Sequence, residues 1–223
     1  MAPALSAVDL VLFDCDGTLV DSEILAADAL AAYVALHGIS ITSTEALTRF
    51  KGWKMDDCVI ELGRMRGEPL PPEFVSELRH RTGELFRRSL QPIEGALELV
   101  QSLSIPFCLA SNGPRDKIAL SLGVTGLLPY FSDDRIFSAY EIGSWKPAPD
   151  LFLHAAATVG AAPQRCVVVE DSVPGMLAGV AAGMTVFGLQ PGTQDADIPS
   201  GVHLISSLAE LQQRLQATQL RAP

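Results

Sequence analysis

Two aspartates separated by one residue follow a short apolar run near the start of the chain. They are Asp14 and Asp16, in the segment DCDGT at residues 14–18. Side chains alternate on an extended backbone, so the two carboxylates are expected to point the same way and Cys15 towards the core. Carboxylates this close repel each other, and one tends to hold a proton unless a cation lies between them. The pair therefore suits acid–base chemistry beside a nucleophile.

A second group of polar residues follows another apolar run, residues 105–110. Ser111, Asn112 and Gly113 stand where a strand is expected to give way to a helix. A hydroxyl and exposed backbone N–H groups at a helix start suit a phosphate group. The ordinary alternative is a strand-to-helix turn with an N-cap, so this group alone does not decide the function.

A lysine and a pair of acids complete the set. Lys146 stands between a tryptophan and a proline ahead of a helix, where its ammonium group could neutralise a transferring phosphoryl group. Glu170 and Asp171 follow the apolar run 166–169, and adjacent carboxylates at a strand end suit a hard cation such as Mg²⁺. An exposed lysine and an N-capping Asp171 are the ordinary alternatives. All four groups in one chain are more specific than any one of them.

Apolar runs separated by helical patterns are the elements that must position these side chains. Strands are predicted at residues 8–13, 105–110, 166–169 and 184–189, and helices at 95–103, 115–122, 150–159 and 173–182. Strands alternating with helices are typical of an α/β fold, here a Rossmann-like parallel sheet covered on both faces. Such sheets bind ligands at the carboxyl ends of their strands, and all four polar groups stand at strand ends.

The stretch between the first strand and the rest of the sheet contains no strand-like run. Four helices are predicted there, at 22–37, 44–50, 55–66 and 72–88, with a proline-rich break before the last. The sequence therefore predicts a helical domain at 20–87, inserted into a core domain formed by 1–19 and 88–223. Residues 213–223 are expected to finish a terminal helix.

Composition disfavours several classes of protein. The 223 residues carry a formal charge of −10, which disfavours nucleic acid as a partner. No apolar run reaches the roughly 20 residues of a membrane-spanning helix, so no membrane contact is expected. The four cysteines are scattered and are expected to be free, buried thiols in the cytoplasm. We expect a monomer that acts on a small phosphorylated molecule.

These segments together resemble the haloacid dehalogenase superfamily, in its phosphatase branch with a small helical cap. Residues 14–22 match the family's first motif, Ser111 the second, Lys146 the third and the Glu170-Asp171 pair the fourth. The resemblance covers nearly the whole chain, from residue 8 to about residue 189.

The resemblance implies a catalytic role for four of the matched residues. Asp14 would be the nucleophile that forms a phospho-aspartate intermediate. Asp16 would be the general acid and base, which protonates the leaving oxygen and then activates water. Ser111 and Lys146 would hold the phosphoryl oxygens.

The resemblance also implies a Mg²⁺ ion and a set of substrate contacts. Asp14, Asp171 and the backbone carbonyl of Asp16 would hold the ion, with Glu170 nearby. Eight residues are expected to contact the substrate: Thr18, Asn112 and Gly113 beside the motifs, and Glu23, Lys51, Gly52, Trp53 and Lys54 in the cap.

Related enzymes with this cap leave alternatives to hydrolysis. Sugar-phosphate mutases of the β-phosphoglucomutase type carry a histidine twelve residues after the nucleophile, where this chain has Ala26. The mutase reaction therefore lacks an expected acid–base group, and hydrolysis is favoured. A dehalogenase is disfavoured because Asp16 is present. A phospho-aspartate signalling module is the alternative from another class, but it does not need the inserted helices.

Three positive charges cluster around a glycine turn in the cap, at Arg49, Lys51 and Lys54. They could pair with a substrate's phosphate or with a second anionic group, such as a sugar-acid carboxylate; solvated surface cations are the alternative. The Lys51-Gly52 turn and the segments around Ser111 and Lys146 look similar to those of bacterial 6-phosphogluconate phosphatases. This resemblance implies a small phosphorylated sugar or sugar acid as the substrate.

Overall fold

A six-stranded parallel sheet forms the centre of the fold. The computed structural model describes residues 8–190 and 198–219. The strands, numbered in chain order, are β1 (Leu10–Phe13), β2 (Phe107–Ser111), β3 (Ile136–Ser138), β4 (Cys166–Glu170), β5 (Thr185–Leu189) and β6 (Val202–Ile205). Their order in the sheet is β3-β2-β1-β4-β5-β6, and every neighbouring pair is parallel.

Helices separate the strands and fill the insertion after β1. The insertion contains α1 (Glu23–Ala35), α2 (Ser43–Phe50), α3 (Met55–Arg66) and α4 (Phe74–Ser89). The rest of the chain contains α5 (Ala96–Ser102), α6 (Arg115–Val124), α7 (Ala139–Ile142), α8 (Asp150–Val159), α9 (Val173–Ala181) and α10 (Leu208–Gln219). The predicted α/β class, with a parallel sheet and four inserted helices, is confirmed.

The predicted elements all exist, with ends that differ by a few residues, but three elements were missed. Strand β3 has only three residues, too few to show a pattern. Strand β6 is half-exposed at the edge of the sheet and includes a histidine, so it does not read as a buried apolar run. Helix α7 is a single four-residue turn. Helix α10 extends to Gln219, and residues 220–223 of the predicted terminal helix lie outside the described residues.

The chain divides into two compact units. The larger unit is formed by residues 1–20 and 92–223, and the smaller, called here the helical unit, by residues 21–91. These limits fall one residue and four residues later than the predicted boundaries of the inserted domain. The second difference arises because α4 continues to Ser89 and Leu90 still caps it through a bond to the Phe86 carbonyl.

Strand β1 lies in the middle of the larger unit, between β2 and β4, and all four of its side chains are fully buried. Leu10 and Leu12 belong to a core cluster that includes side chains from α8 and α9. Phe13 packs edge-on against Phe107, with 6.2 Å between ring centroids. A strand buried on both faces reads as a continuous apolar run, which is why β1 was visible in the sequence.

The helical unit has an apolar core of its own. Tyr33 of α1 stacks on Phe74 of α4 with 4.9 Å between the ring centroids. Thr42 and Glu45 form a capping box that starts α2, in which each side chain binds the other residue's backbone N–H. Gly67 ends α3 in the left-handed conformation, with φ at 85°. Local signals therefore set the helix ends, and aromatic packing joins the helices.

Four expectations from composition meet different outcomes. All four cysteines are buried and unpaired in the structure. Within the two described ranges, no helix is both long enough and apolar enough to cross a membrane. The monomeric state and the cytoplasmic location stay predictions.

Helix α9 packs so closely on the sheet that one of its glycines has no room for a side chain. A Cβ added at Gly179 would lie 2.7 Å from Val186 Cγ2 and 3.3 Å from Val168 Cβ. We expect Gly179→Ala to lower the free energy of unfolding by about 1–3 kcal/mol, because the helix must move off the sheet. Urea denaturation followed by circular dichroism measures the change.

Gly63 in α3 is the matched control. A Cβ added there meets its nearest atom, the Glu68 carbonyl oxygen, at an ordinary 3.5 Å. Alanine is the better helix former by about 1 kcal/mol, so Gly63→Ala should leave stability unchanged or raise it. Equal stability of the two variants would contradict the tight contact at Gly179.

Candidate active site

The carboxyl ends of the three central strands bring the predicted motifs to one edge of the sheet. In the register, Phe13 of β1 lies beside Leu109 of β2 and Val169 of β4. The residues that follow along each strand are Asp14 after β1, and Ser111 and Glu170 at the ends of β2 and β4. Parallel pairing thus gathers residues that lie far apart in the sequence.

Lys146 is buried between two carboxylates at this edge. Its Nζ atom donates to Asp14 Oδ1 at 2.6 Å and to Glu170 Oε1 at 2.5 Å. Its side chain is only 2% exposed, and the ammonium group lies 4.8 Å from the centre of the Phe152 ring. The lysine thus links the strands β1 and β4 through their terminal acids.

The side-chain amide of Asn112 fixes the backbone of Lys146. Asn112 Oδ1 accepts from the Lys146 N–H at 2.9 Å, and Asn112 Nδ2 donates to the Lys146 carbonyl at 3.3 Å. A side-chain amide that bonds both groups of one residue fixes that residue's orientation. Asn112, predicted to bind substrate, is therefore engaged in holding Lys146, and its contact with substrate stays a prediction.

The turn after β2 is also held from two sides. The Gly113 N–H donates to Ser111 Oγ at 3.0 Å, and Ser138 Oγ at the end of β3 donates to the Gly113 carbonyl at 2.7 Å. Ser111 itself is buried, with 1% of its surface exposed. The turn thus places the Ser111 hydroxyl at the edge where Asp14 stands, with the Gly113 N–H bonded to it, and binding of a phosphate there stays a prediction.

Three carboxylates stand close enough to share one cation. Asp14, Glu170 and Asp171 each offer an oxygen, and the three atoms lie within 4.8 Å of one another. Thr18 Oγ1 donates to Asp171 Oδ1 at 3.2 Å. Oxygen ligands of this kind suit a hard divalent cation. Thr18 is fully buried and orients an acid of the cluster, so its predicted contact with substrate stays a prediction.

Two glycines leave room for the acids. Gly17 has φ at 77°, and a Cβ there would lie 2.3 Å from Asp171 Oδ2. A Cβ at Gly175 would lie 1.9 Å from Glu170 Oε1. The first position needs glycine for both its backbone conformation and the close approach, and the second for the approach alone.

Glu170 is held on both of its oxygens. Lys146 binds Oε1, while Oε2 accepts from the Ser172 N–H at 3.1 Å and from Ser172 Oγ at 2.8 Å. Ser172 Oγ in turn accepts from the Gly175 N–H at 3.2 Å and caps α9. The N-cap of α9 is therefore Ser172, rather than Asp171 as one alternative from the sequence had it.

The site holds more acid than its lysines can neutralise. Burial raises the pKa of the Asp14 carboxyl well above its ordinary value, and the neighbouring acids add to the rise although Lys146 opposes it. Burial alone would lower the pKa of Lys146, but the charges of Asp14 and Glu170 outweigh it and raise that pKa. A bound cation would favour the ionised form of Asp14.

Asp16 has a lysine partner that the sequence analysis missed. Lys117 Nζ donates to Asp16 Oδ2 at 2.7 Å. Burial would lower the pKa of Lys117, but the charge and hydrogen bond of Asp16 raise it above its ordinary value. Lys117 lies in the first turn of α6, directly after the turn that ends β2. The position of Lys117 in the sequence could have predicted this contact. A helix that starts at a strand end carries the side chains of its first turn to the same edge of the sheet.

The remaining predicted residues lie in the helical unit, where two of them pair. The segment from Phe50 to Trp53 forms a β-turn, closed by the Trp53 N–H donating to the Phe50 carbonyl at 3.0 Å. Gly52, with φ at 77°, occupies the position that needs a left-handed residue. Lys51 Nζ lies 3.1 Å from Glu23 Oε2 in an ion pair that is partly exposed.

Trp53 and Lys54 follow this turn. The Trp53 ring packs edge-on against Phe50, with 5.6 Å between centroids, and 49% of the residue is exposed. Lys54 precedes the first residue of α3. Contact of Glu23, Lys51, Gly52, Trp53 or Lys54 with a substrate stays a prediction.

Comparison with known proteins identifies the family. Residues 8–183 match the family described as haloacid dehalogenase-like hydrolases. The chain belongs to this family. The matched range runs from just before β1 to just past the end of α9, so it includes all four motifs and the helical unit.

Two similar proteins with named activities are phosphatases. The chain is 38% identical to the 6-phosphogluconate phosphatase of Escherichia coli over 184 residues, which are 82% of this chain and 83% of that protein. It is 33% identical to hexitol phosphatase B of Escherichia coli over 179 residues, 78% of this chain and 79% of that one. The predicted class of enzyme, a phosphatase of the haloacid dehalogenase family, is confirmed.

A solved structure is similar along almost the whole chain. It is a haloacid dehalogenase family hydrolase from Deinococcus radiodurans with bound phosphate and sodium. The two chains are 34% identical, the match covers 98% of this chain and 99% of that one, and the TM-score is 0.77. This similarity also includes residues beyond the range 8–183 that matches the family.

Removal of the Asn112 amide should release the backbone of Lys146. If Lys146 has its predicted role in catalysis, we expect Asn112→Ala to lower kcat about 10- to 100-fold with little change in KM, because a small displacement of such a group is costly. Steady-state phosphate release measures both constants.

Ser144→Ala is the matched control, since Ser144 lies two residues before Lys146 and its hydroxyl donates to Asp150 on the surface. It should keep near-normal kcat. A raised KM with an unchanged kcat in Asn112→Ala would instead assign Asn112 to substrate binding.

Proposed function

We propose that this enzyme hydrolyses a small phosphorylated sugar or sugar acid with Mg²⁺, through a phospho-aspartate formed on Asp14. The observation that carries the proposal is the position of Lys146, whose ammonium group lies 2.6 Å from Asp14 in the midst of a three-carboxylate cluster. A nucleophilic carboxylate and a phosphate dianion repel each other. A site that attacks phosphate with a carboxylate must therefore supply positive charge at that point.

The charges of the site support a divalent cation. With all six groups ionised, four carboxylates stand against two ammonium groups, which leaves two negative charges among Asp14, Asp16, Glu170, Asp171, Lys117 and Lys146. One negative charge remains when Asp16 holds the proton that it donates. Asp14, Asp171 and the backbone carbonyl of Asp16 would hold Mg²⁺, with Glu170 nearby. The ion would act as a Lewis acid that lowers the repulsion between substrate and nucleophile.

The protein's own residues divide the reaction between them. Asp14 attacks phosphorus, the bond to the leaving oxygen breaks, and Asp16 gives that oxygen a proton. Lys146 and Ser111 hold the phosphoryl oxygens in line with the attack. Asp16 then takes a proton from the water that hydrolyses the phospho-aspartate, which returns both aspartates to their starting state.

The relatives support the substrate class. Two of them are named for the phosphorylated sugar acid or alcohol that they hydrolyse, and the solved structure holds a bound phosphate. Lys51 and Lys54 supply positive charge beside a tight turn in an otherwise acidic chain. We assign these two lysines to selection of a substrate with a second negative charge. The ion pair with Glu23 orients Lys51 on the face of α1.

Two other reactions fit the chain less well. The mutase needs an acid–base group on α1, where Ala26 offers only a methyl group. A signalling module would keep its phospho-aspartate for minutes and would not need the four helices of residues 21–91. Release of inorganic phosphate from a sugar phosphate, with no isomeric sugar phosphate formed, distinguishes hydrolysis from both.

Replacement of the nucleophile tests the central assignment. We expect Asp14→Asn to lower kcat at least about a thousandfold, roughly 4 kcal/mol of barrier, because the amide is a poor nucleophile. Activity of the unchanged enzyme should be lost in EDTA and restored by excess Mg²⁺. A malachite-green assay of phosphate release measures both effects.

The matched control is Asp9→Asn, the same substitution at the residue that precedes β1. Asp9 pairs with Arg165 on the surface. This variant should retain activity within about twofold. Near-normal turnover by Asp14→Asn would overturn the assignment of the nucleophile.

Removal of the turn lysines tests the substrate class. We expect Lys51→Ala and Lys54→Ala to raise KM for 6-phosphogluconate about 10-fold and to change KM for neutral sugar phosphates less than about threefold. The 10-fold rise for 6-phosphogluconate corresponds to about 1.4 kcal/mol, as expected for the loss of one charge-assisted contact. Parallel steady-state assays on the two kinds of substrate measure it.

Arg64→Ala is the control within the helical unit, since Arg64 is an exposed cation near the far end of α3. It should leave both KM values unchanged. An unchanged preference in the two lysine variants would remove their role in selecting the substrate.

A further inference from the structure

Each aspartate of the DCDGT segment has a lysine of its own. Lys146 binds Asp14 at 2.6 Å, and Lys117 binds Asp16 Oδ2 at 2.7 Å. The two pairs differ in their surroundings. The side chain of Lys146 is 2% exposed, whereas the side chains of Lys117 and Asp16 are 32% and 26% exposed. The second pair thus stands at the open side of the site, and the proposed reaction assigns Lys117 no role.

We propose that Lys117 is a positioning residue for the Asp16 carboxylate. By binding Oδ2, Lys117 restricts rotation of the carboxylate and directs Oδ1 towards the leaving oxygen and, later, the attacking water. The inference rests on the proposed function, because it takes Asp16 to be the residue that gives and receives the proton.

The side chain of Lys117 is itself guided by its neighbours. It passes over Gly113, where an added Cβ would lie 3.7 Å from Lys117 Cδ and 3.8 Å from Asp16 Oδ2. The backbone N–H of Lys117 donates to Asp116 Oδ1 at 2.8 Å. The path from helix to carboxylate therefore crosses a residue with no side chain, at ordinary contact distance from both members of the pair.

The start of α6 is anchored to the next strand, which fixes the origin of this side chain. Arg115 binds Glu141 of α7 through two nitrogens, at 2.5 and 3.0 Å, and its Nη2 atom donates to the Ile136 carbonyl at 2.6 Å. Bidentate pairs of this kind fix geometry better than single contacts do. The first turn of α6 is thus a firm support from which Lys117 reaches Asp16.

Loss of the Lys117 ammonium group should slow proton transfer by Asp16 without weakening substrate binding or unfolding the protein. A partly exposed ion pair adds little to stability, about 0–1 kcal/mol, so removing the ammonium group should leave the fold intact. Lys146 keeps its contacts with Asp14 and Glu170, so phosphate binding and attack by Asp14 should persist. The proton steps assigned to Asp16 should slow.

The test compares Lys117→Met, Lys117→Gln and Lys117→Arg with the unchanged enzyme in Mg²⁺. With 6-phosphogluconate we expect kcat to fall about 30- to 100-fold in the Met and Gln variants, within the range for general acid–base catalysis. KM should stay within about threefold, and Lys117→Arg should recover most of kcat. Arg165→Met is the control, because it removes the cation that pairs with Asp9, the residue before β1. It should leave kcat unchanged.

A substrate with a good leaving group separates positioning from a merely structural role. Nitrophenolate leaves without needing a proton, so p-nitrophenyl phosphate should still phosphorylate Asp14 quickly in Lys117→Met. Hydrolysis of the phospho-aspartate still needs Asp16, so a burst of nitrophenolate followed by slow turnover is expected in stopped flow. A general loss of structure would lower the burst amplitude and the melting temperature together.

Several outcomes would overturn the inference. One is kcat within about twofold of the unchanged enzyme in both Lys117→Met and Lys117→Gln. Another is a raised KM with unchanged kcat, which would make Lys117 a substrate contact. Equal slowing of both substrates with no burst would also count against it. Failure of the unchanged enzyme to release phosphate in Mg²⁺ would instead overturn the proposed function, and this inference with it.

Discussion

A lysine ammonium group buried between two acids is the interaction on which the rest of the site depends. Lys146 reaches Asp14 and Glu170 across the ends of two adjacent strands. A charge with so little access to water is tolerated only when it is paired, and losing one partner of such a pair commonly costs about 3–5 kcal/mol. The paired charges therefore require several parts of the fold to fit together. These are the strands β1 and β4, the turn that carries Lys146, and the Asn112 amide that holds this turn.

The close packing around these charges explains where the chain uses glycine. Gly17 and Gly175 lie where a Cβ would overlap the carboxylates of Asp171 and Glu170. Gly17 lies in the turn that follows β1, far in sequence from Asp171, whereas Gly175 lies in the first turn of α9, shortly after Glu170. The positions of the acids are thus set by the strands, and the space for them is set by residues without side chains. Crowded carboxylates of this kind are stable only with compensating cations.

The sequence was most informative where function depends on strand ends. Asp14, Ser111 and Glu170 could be assigned to one edge because a buried parallel strand fixes where its end lies. Lys146 lies instead between α7 and α8, and its ion pairs with Asp14 and Glu170 bring it to the same edge. Lys117 was missed because a helical side chain reaches its target only if the helix starts at the right residue and in the right direction. Those features depend on the anchoring of Arg115 by β3 and α7, two elements too short to be seen in the sequence.

The proposed mechanism gives different roles to the two aspartates that follow β1, although they lie two residues apart. Asp14 is buried beside Lys146, among the acids that would hold a cation, while Asp16 faces the open side beside Lys117. A single shared cation would couple their charges, and a change at one would disturb the other. Separate lysines, supplied by different elements of the fold, reduce that coupling. In the proposed mechanism, Asp14 can then stay charged through the step in which Asp16 gives up a proton.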